Sequence, residues 1–149
     1  MPVDLVRRVA GREISSRRLK KIAQVLLELA ERRDVELSLA LIGNAEMQKL
    51  NARYRHKNYS TDVLSFPGPE NLPTRAPVIG DVIISVDKAR EQAKQQRHTV
   101  DREIVTLLIH GFVHLLGYDH ERSAHDARIM ARLEKKMVRR LCDLGLLQV

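Results

Sequence analysis

Residues 109–120, IHGFVHLLGYDH, constrain the fold more tightly than any other stretch, because their histidines can act together in only one local geometry. His110 and His114 stand four apart, so a helix sends both imidazoles from one face, about one turn from each other. Gly117 lets that helix end in a left-handed turn, which swings His120 back toward the same face. The spacing H-x-x-x-H-x-x-G-x-x-H then offers three neutral nitrogen ligands to one Zn²⁺ per chain and leaves the fourth tetrahedral position to water. A closed structural site would require a fourth protein ligand. Half of the chain's six histidines fall in this segment. Composition alone produces the four-position pattern roughly 0.0004 times per chain, so ordinary polar helix positions do not account for it.

The same spacing occurs in the metzincin proteases, whose pattern is H-E-x-x-H-x-x-G-x-x-H. Here the second position is Gly111. In those proteases the Glu takes the proton from the metal's water, so its absence removes the group that peptide hydrolysis most needs. A zinc metallopeptidase is therefore the alternative reading. The leading one is a Lewis-acidic metal and a metal-activated water whose substrate the motif does not specify.

Composition narrows the substrate. A chain of 149 residues makes one domain of ordinary size, able to bury a core without staples. Its single cysteine, Cys142, excludes an internal disulfide and a zinc ribbon, which suits a reducing compartment. No basic-then-apolar leader is visible and the longest apolar runs are far short of a membrane span, so the expectation is a soluble, cytoplasmic protein with no membrane partner. Against 19 Asp and Glu stand 26 Lys and Arg, a formal charge of +7. That excess favours a polyanionic partner through counterion release, although a generic solvated surface would also carry it. With only five aromatic residues, base stacking cannot dominate such binding, and backbone charge must.

Taken in order, residues 3–9 are apolar apart from Asp4, Arg7 and Arg8, and read as an edge strand that Gly11 ends. Ser15 or Ser16 caps a helix with a buried stripe of Leu19, Ile22, Ala23, Leu26, Leu29 and Ala30. Arg17, Arg18, Lys20 and Lys21 face out, as a solvated surface or an RNA contact. Val35, Leu37, Leu39 and Leu41 alternate with polar residues, the period of a half-buried strand. Asn44 caps a shorter helix with Met47, Leu50 and Tyr54 on its apolar side and a basic end, Arg53, Tyr54, Arg55, His56 and Lys57. Residues 60–67 form a β-rich run closed by Pro67, and residues 67–77 hold four of the five prolines and form a loop. Residues 78–85 read as a buried strand and residues 87–97 as a helix. Thr99 caps the helix that carries the histidines, with Asp101 and Glu103 in its positive first turn. Ser123 begins a capping box for the last helix, with Ala127, Met130, Ala131, Met137, Val138 and Leu141 as its core stripe. His56, His98 and His125 read as solvated.

These residues carry a resemblance. The histidine motif through Tyr118, Asp119 and His120, together with Arg55-x-Lys57, Thr61-Asp62-Val63-Leu64-Ser65-Phe66-Pro67 and Gly80-Asp81, resembles the YbeY family of bacterial endoribonucleases, the rRNA maturation factors. The likeness runs in order over nearly the whole chain. It implies one α+β domain over residues 1–149, a small mixed sheet with about five helices, and Zn²⁺ held by His110, His114 and His120. It further implies a single-strand-specific endoribonuclease acting on rRNA of the small ribosomal subunit, in 16S 3′-end maturation and ribosome quality control, with no DNA partner. Arg55 matches an arginine important in that family.

The chemistry stands beside the resemblance. Cleaving a phosphodiester needs a water of lowered pKa and a cation to meet charge growing on the equatorial oxygens. Arg55 suits the second task because its planar fork can hold two phosphate oxygens, although a surface arginine at a helix end would look the same in sequence. Asp119 is either a proton acceptor or a partner for a histidine, and Asp81 either a partner of the site or a turn residue. A non-catalytic rRNA-binding assembly factor is the remaining alternative.

Overall fold

A computed structural model describes residues 3–9, 11, 13–55, 61–68, 78–118 and 123–148. Among these residues four strands and five helices follow the order β1 (Val3–Arg7), α1 (Ser16–Leu29), β2 (Glu36–Ile42), α2 (Asn44–Arg55), β3 (Val63–Pro67), β4 (Val78–Ser85), α3 (Val86–Gln96), α4 (Val100–Leu115) and α5 (Ala124–Asp143). The expected architecture, an α+β domain built on a small mixed sheet with about five helices, is what the chain adopts.

The sheet runs β1-β2-β4-β3. β1, β2 and β4 are mutually parallel, and β3 returns antiparallel along β4. Parallel neighbours need a crossover between them, and α1 supplies the one from β1 to β2. Pro67, which cannot donate to a ladder, falls at the end of an edge strand, where its missing N–H costs nothing.

Strand alternation sorts the apolar residues onto two faces. Leu37, Leu39, Leu41, Val82 and Ile84 belong to the main core with α1, α4 and α5, joined by Leu19, Ile22, Leu26, Leu108, Phe112, Met137 and Leu141. The opposite face carries a smaller cluster, Ile42, Met47 and Leu64, under α2. The histidine helix and α2 therefore lie on opposite sides of the sheet.

Several local expectations are altered by tertiary contacts. The α2 N-terminus takes its acceptor from another helix: the Asn44 N–H donates to Asp87 Oδ2 at 2.8 Å, while Asn44 Oδ1 accepts from the Ser85 hydroxyl at 2.8 Å. Tyr54 is 54% exposed rather than packed inward, its ring meeting Phe66 edge-on with centroids 5.5 Å apart. On α5 the apolar stripe runs through Met130, Leu133, Met137 and Leu141, and Ala131 is exposed. His98 is not solvated: its Nε2 lies 2.6 Å from Glu103 Oε1, with side chains 16% and 8% exposed. The left-handed Arg97 (φ 57°) that ends α3 turns the chain back on itself, so that the His98 N–H reaches Ala93 O. His125 is exposed, as expected, and His56 lies outside the described residues.

Candidate active site

α4 begins where the sequence places it. The Thr99 hydroxyl accepts from the Arg102 N–H at 3.1 Å, and Asp101 and Glu103 occupy the first turn. Asp101 also accepts from the Ile14 N–H at 2.7 Å and from Arg18 at 3.3 Å, fixing this end of the helix to the start of α1. Most of the remaining surface is buried, through Ile104, Val105, Leu107, Leu108, Ile109, Phe112 and Val113. The half-buried edge left over carries His110 and His114. Their rings meet edge to face, with centroids 4.8 Å apart and planes at 84°.

The helix ends as the motif requires. Gly117 has φ 101°, the Gly117 N–H donates to His114 O at 2.9 Å, and the Tyr118 N–H reaches back to Val113 O at 3.4 Å. This is the paired closure of a Schellman motif, with glycine at the left-handed position. A Cβ on Gly117 would meet nothing within 4 Å, so its backbone angle, not crowding, calls for glycine.

Gly111 serves the opposite purpose. A Cβ there would stand 2.8 Å from Val82 Cγ1, 2.9 Å from Ser65 Oγ and 3.3 Å from Val63 Cγ2. The helix lies so close to β3 and β4 that the Ser65 hydroxyl donates to Gly111 O at 3.0 Å. The position beside His110 is thus filled by the sheet, and a glutamate could not occupy it without moving the helix.

One partner of the histidines was not picked out in the sequence. Glu134 Oε1 lies 3.1 Å from His110 Nδ1, both side chains about one-third exposed (28% and 32%). This carboxylate raises the His110 pKa above its ordinary value; burial opposes the rise, and the charges of Glu134 and Asp62 add to it. Asp62 is held by Gln92, whose Nε2 donates to Oδ2 at 3.1 Å. The sequence did hold a signal for Glu134, which stands four residues after Met130 and three before Met137, a charge on an otherwise apolar stripe.

Other expected residues fall elsewhere. His120 and Asp119 lie outside the described residues. Among the described residues no three His, Cys, Asp or Glu side chains converge as a metal cluster, as follows when one of three expected ligands is outside them. Arg55 is exposed in the last turn of α2. Asp81 is neither a turn residue nor a neighbour of the histidines: it is inside β4, and since Val82 faces Gly111, alternation turns Asp81 to the far side of the sheet.

The donor chemistry fits a divalent ion that takes nitrogen ligands. With Nδ1 facing a carboxylate, a neutral His110 would carry its proton on that side and turn Nε2 toward a metal, the usual arrangement of a metal-ligating histidine and its outer partner. A small α+β domain with two imidazoles four residues apart, one backed by a carboxylate, and no room for a side chain beside the first departs from the metzincin pattern at the position of its glutamate.

Comparison with known proteins gives the family. Residues 7–142 match the family described as Endoribonuclease YbeY. Curated proteins named endoribonuclease YbeY include one from Anaeromyxobacter sp. (strain Fw109-5), 46% identical over 84% of this chain and 64% of the relative. Another, from Sulfurihydrogenibium sp. (strain YO3AOP1), is 40% identical over 91% of this chain and 90% of the relative. The chain thus spans just under two-thirds of the first relative's length and nearly all of the second's. The solution structure of TM1509 from Thermotoga maritima superposes with a TM-score of 0.62 and 27% identity over 91% of this chain and 85% of that one. The chain belongs to the YbeY endoribonuclease family, whose named members are nucleases of the hydrolase class.

Proposed function

We propose that this protein is a zinc-dependent, single-strand-specific endoribonuclease that hydrolyses rRNA phosphodiesters on the small ribosomal subunit, in 16S 3′-end maturation and quality control, in the cytoplasm. The observation that carries the reading is the His110–His114 pair with Glu134 against His110 Nδ1. His110, His114 and His120 would hold one Zn²⁺. When bound, the ion would lower the pKa of water and polarise a phosphoryl oxygen. Glu134 keeps the His110 proton on Nδ1 and fixes the ring's orientation. Arg55, exposed on the last turn of α2 and seven residues before Asp62, whose charge reaches His110, would offer its two-pronged guanidinium to phosphate oxygens, where charge grows as the bond breaks. No helix among the described residues is long and apolar enough to cross a membrane, and the +7 charge favours a polyanion.

The crowding at Gly111 disfavours the peptidase alternative. The test is metal analysis of the purified protein with cleavage assays on an rRNA fragment and on a casein-type peptide. The expected result is about one zinc per chain and cleavage of RNA only. In His114→Ala, zinc falls well below one equivalent and cleavage is lost. Peptide cleavage would overturn the reading in favour of a peptidase, and RNA binding without cleavage in favour of an assembly factor. Full zinc in His114→Ala would overturn the ligand assignment.

A further inference from the structure

α5 turns two chemically opposite faces to its surroundings. Inward it presents Met130, Met137, Leu141 and the carboxylate of Glu134. Outward it presents Arg128, Arg132, Lys135, Lys136, Arg139 and Arg140, all exposed. At about 100° per residue these six fall within an arc of roughly 140°, and they extend along about 18 Å of helix. The acids of the helix do not neutralise them: Asp126 is in the first turn, Glu134 faces the core, and Asp143 is the last residue. No ion pair or hydrogen bond among the described residues involves any of the six side chains.

A solvated helix face ordinarily alternates charge so that i,i+4 neighbours attract. Here Arg128–Arg132, Arg132–Lys136, Lys135–Arg139 and Lys136–Arg140 are all like-charged, which weakens a free helix. A polyanion lying along the face removes that repulsion. Besides the six basic residues the arc holds one half-buried apolar side chain, Ile129, too little to anchor a helix in lipid, and one imidazole, His125, a turn before Arg128; the apolar stripe of α5 is spent on the core. What remains is recognition of a phosphodiester backbone by charge. A stacked strand carries a negative charge about every 3.4 Å, so 18 Å of helix faces roughly five phosphates.

We propose that the outer face of α5 is a binding track for the phosphate backbone of RNA. It lies one helix diameter, about 10–12 Å, from the face on which Glu134 meets His110, and so holds the strand flanking the cut rather than the scissile phosphate. The inference rests on the reading of the protein as an RNA-acting enzyme and adds where the strand is held.

The experiment measures affinity of the full chain for a labelled single-stranded rRNA fragment across salt concentrations. The variant carries Arg132→Gln, Lys135→Gln, Lys136→Gln and Arg139→Gln; a charge-matched control carries Arg33→Gln, Lys49→Gln, Lys94→Gln and Arg97→Gln, all exposed. The track predicts a log–log salt slope shallower by roughly 3, at about 0.7 per lost single-strand contact, and affinity near 0.1 M salt lower by roughly 10²-fold. Two double variants, Arg132→Gln/Lys136→Gln and Lys135→Gln/Arg139→Gln, each give about half that change, which separates lost contacts from a misfolded helix. The control changes far less. An unaltered slope, or an equal loss in the control, overturns the track, and so does preferential binding of the wild type to phosphatidylglycerol vesicles. RNA cleavage by the wild type with an unaltered slope sinks only the track. Variant-sensitive binding without any cleavage sinks the enzymatic reading and leaves the track standing.

Discussion

Gly111→Ala is a one-carbon test of how the candidate site is seated. Alanine is normally the better helix residue, by about 0.5–1 kcal/mol over glycine, so an unpacked helix would be stabilised by the change. Here the new Cβ would arrive 2.8 Å from Val82 Cγ1 and 2.9 Å from Ser65 Oγ. Neither neighbour is a loose side-chain end: Val82 is fully buried in the strand between β2 and β3, and the Ser65 hydroxyl is bonded to Gly111 O itself. Overpacking of that kind costs about 1–3 kcal/mol, which after the helix gain leaves a net loss of up to about 2.5 kcal/mol, between about 1 and 1.5 at the midpoints of the two ranges. For a chain of this size that is a fall in Tm of roughly 3–6 °C. On the proposed ligand set, displacement of α4 should lower zinc content as well, because that helix carries both histidines. Thermal unfolding followed by circular dichroism, with metal analysis of the same sample, reads both. A Tm equal to or above that of the wild type would refute the close seating of α4 on β3 and β4, and with it the steric argument against a glutamate beside His110.

Glu134→Gln should lower zinc affinity by roughly 10–100-fold with the fold intact by circular dichroism; undiminished affinity would show that Glu134 does not orient His110. Arg55→Lys should slow single-turnover RNA cleavage by roughly 10²-fold while binding of RNA weakens much less and zinc is unchanged. Equal losses in rate and affinity would make Arg55 a binding residue. The Arg90 guanidinium, 2.6 Å from Glu13, holds that carboxyl below its ordinary value of 4.5, so the unfolded chain takes up this proton first as pH falls. The pair's stabilisation is therefore present above about pH 4.5 and lost below it. Partial exposure limits it to at most about 1 kcal/mol. Glu13→Gln should flatten the acid limb of a stability–pH profile, and an unchanged limb would deny the pair any part in it.

Much of the molecule follows from the order of its residues, because the signals are local. Helix periodicity and capping chemistry act within one or two turns, which is why Ser15, Thr99 and Ser123 each cap the helix expected of them. The i,i+4 histidines and the glycine three residues on dictate a shared face and a left-handed stop in any context, and His110, His114 and Gly117 obey. What the chain's order leaves open depends on which elements meet. Glu134 becomes the partner of His110 only because α5 packs on α4, 24 residues later in sequence. His98 is drawn out of solvent by Glu103 across the turn between α3 and α4. The side of the sheet to which Asp81 turns is fixed by strand alternation relative to Gly111, so it follows from β4 packing beneath α4. In sequence Gly111 registers as a missing glutamate; the fold makes it the point of closest approach between helix and sheet. Local propensity acts over a few bonds and is legible along the chain, whereas steric fit and long-range charge pairing exist only once distant segments share the same space.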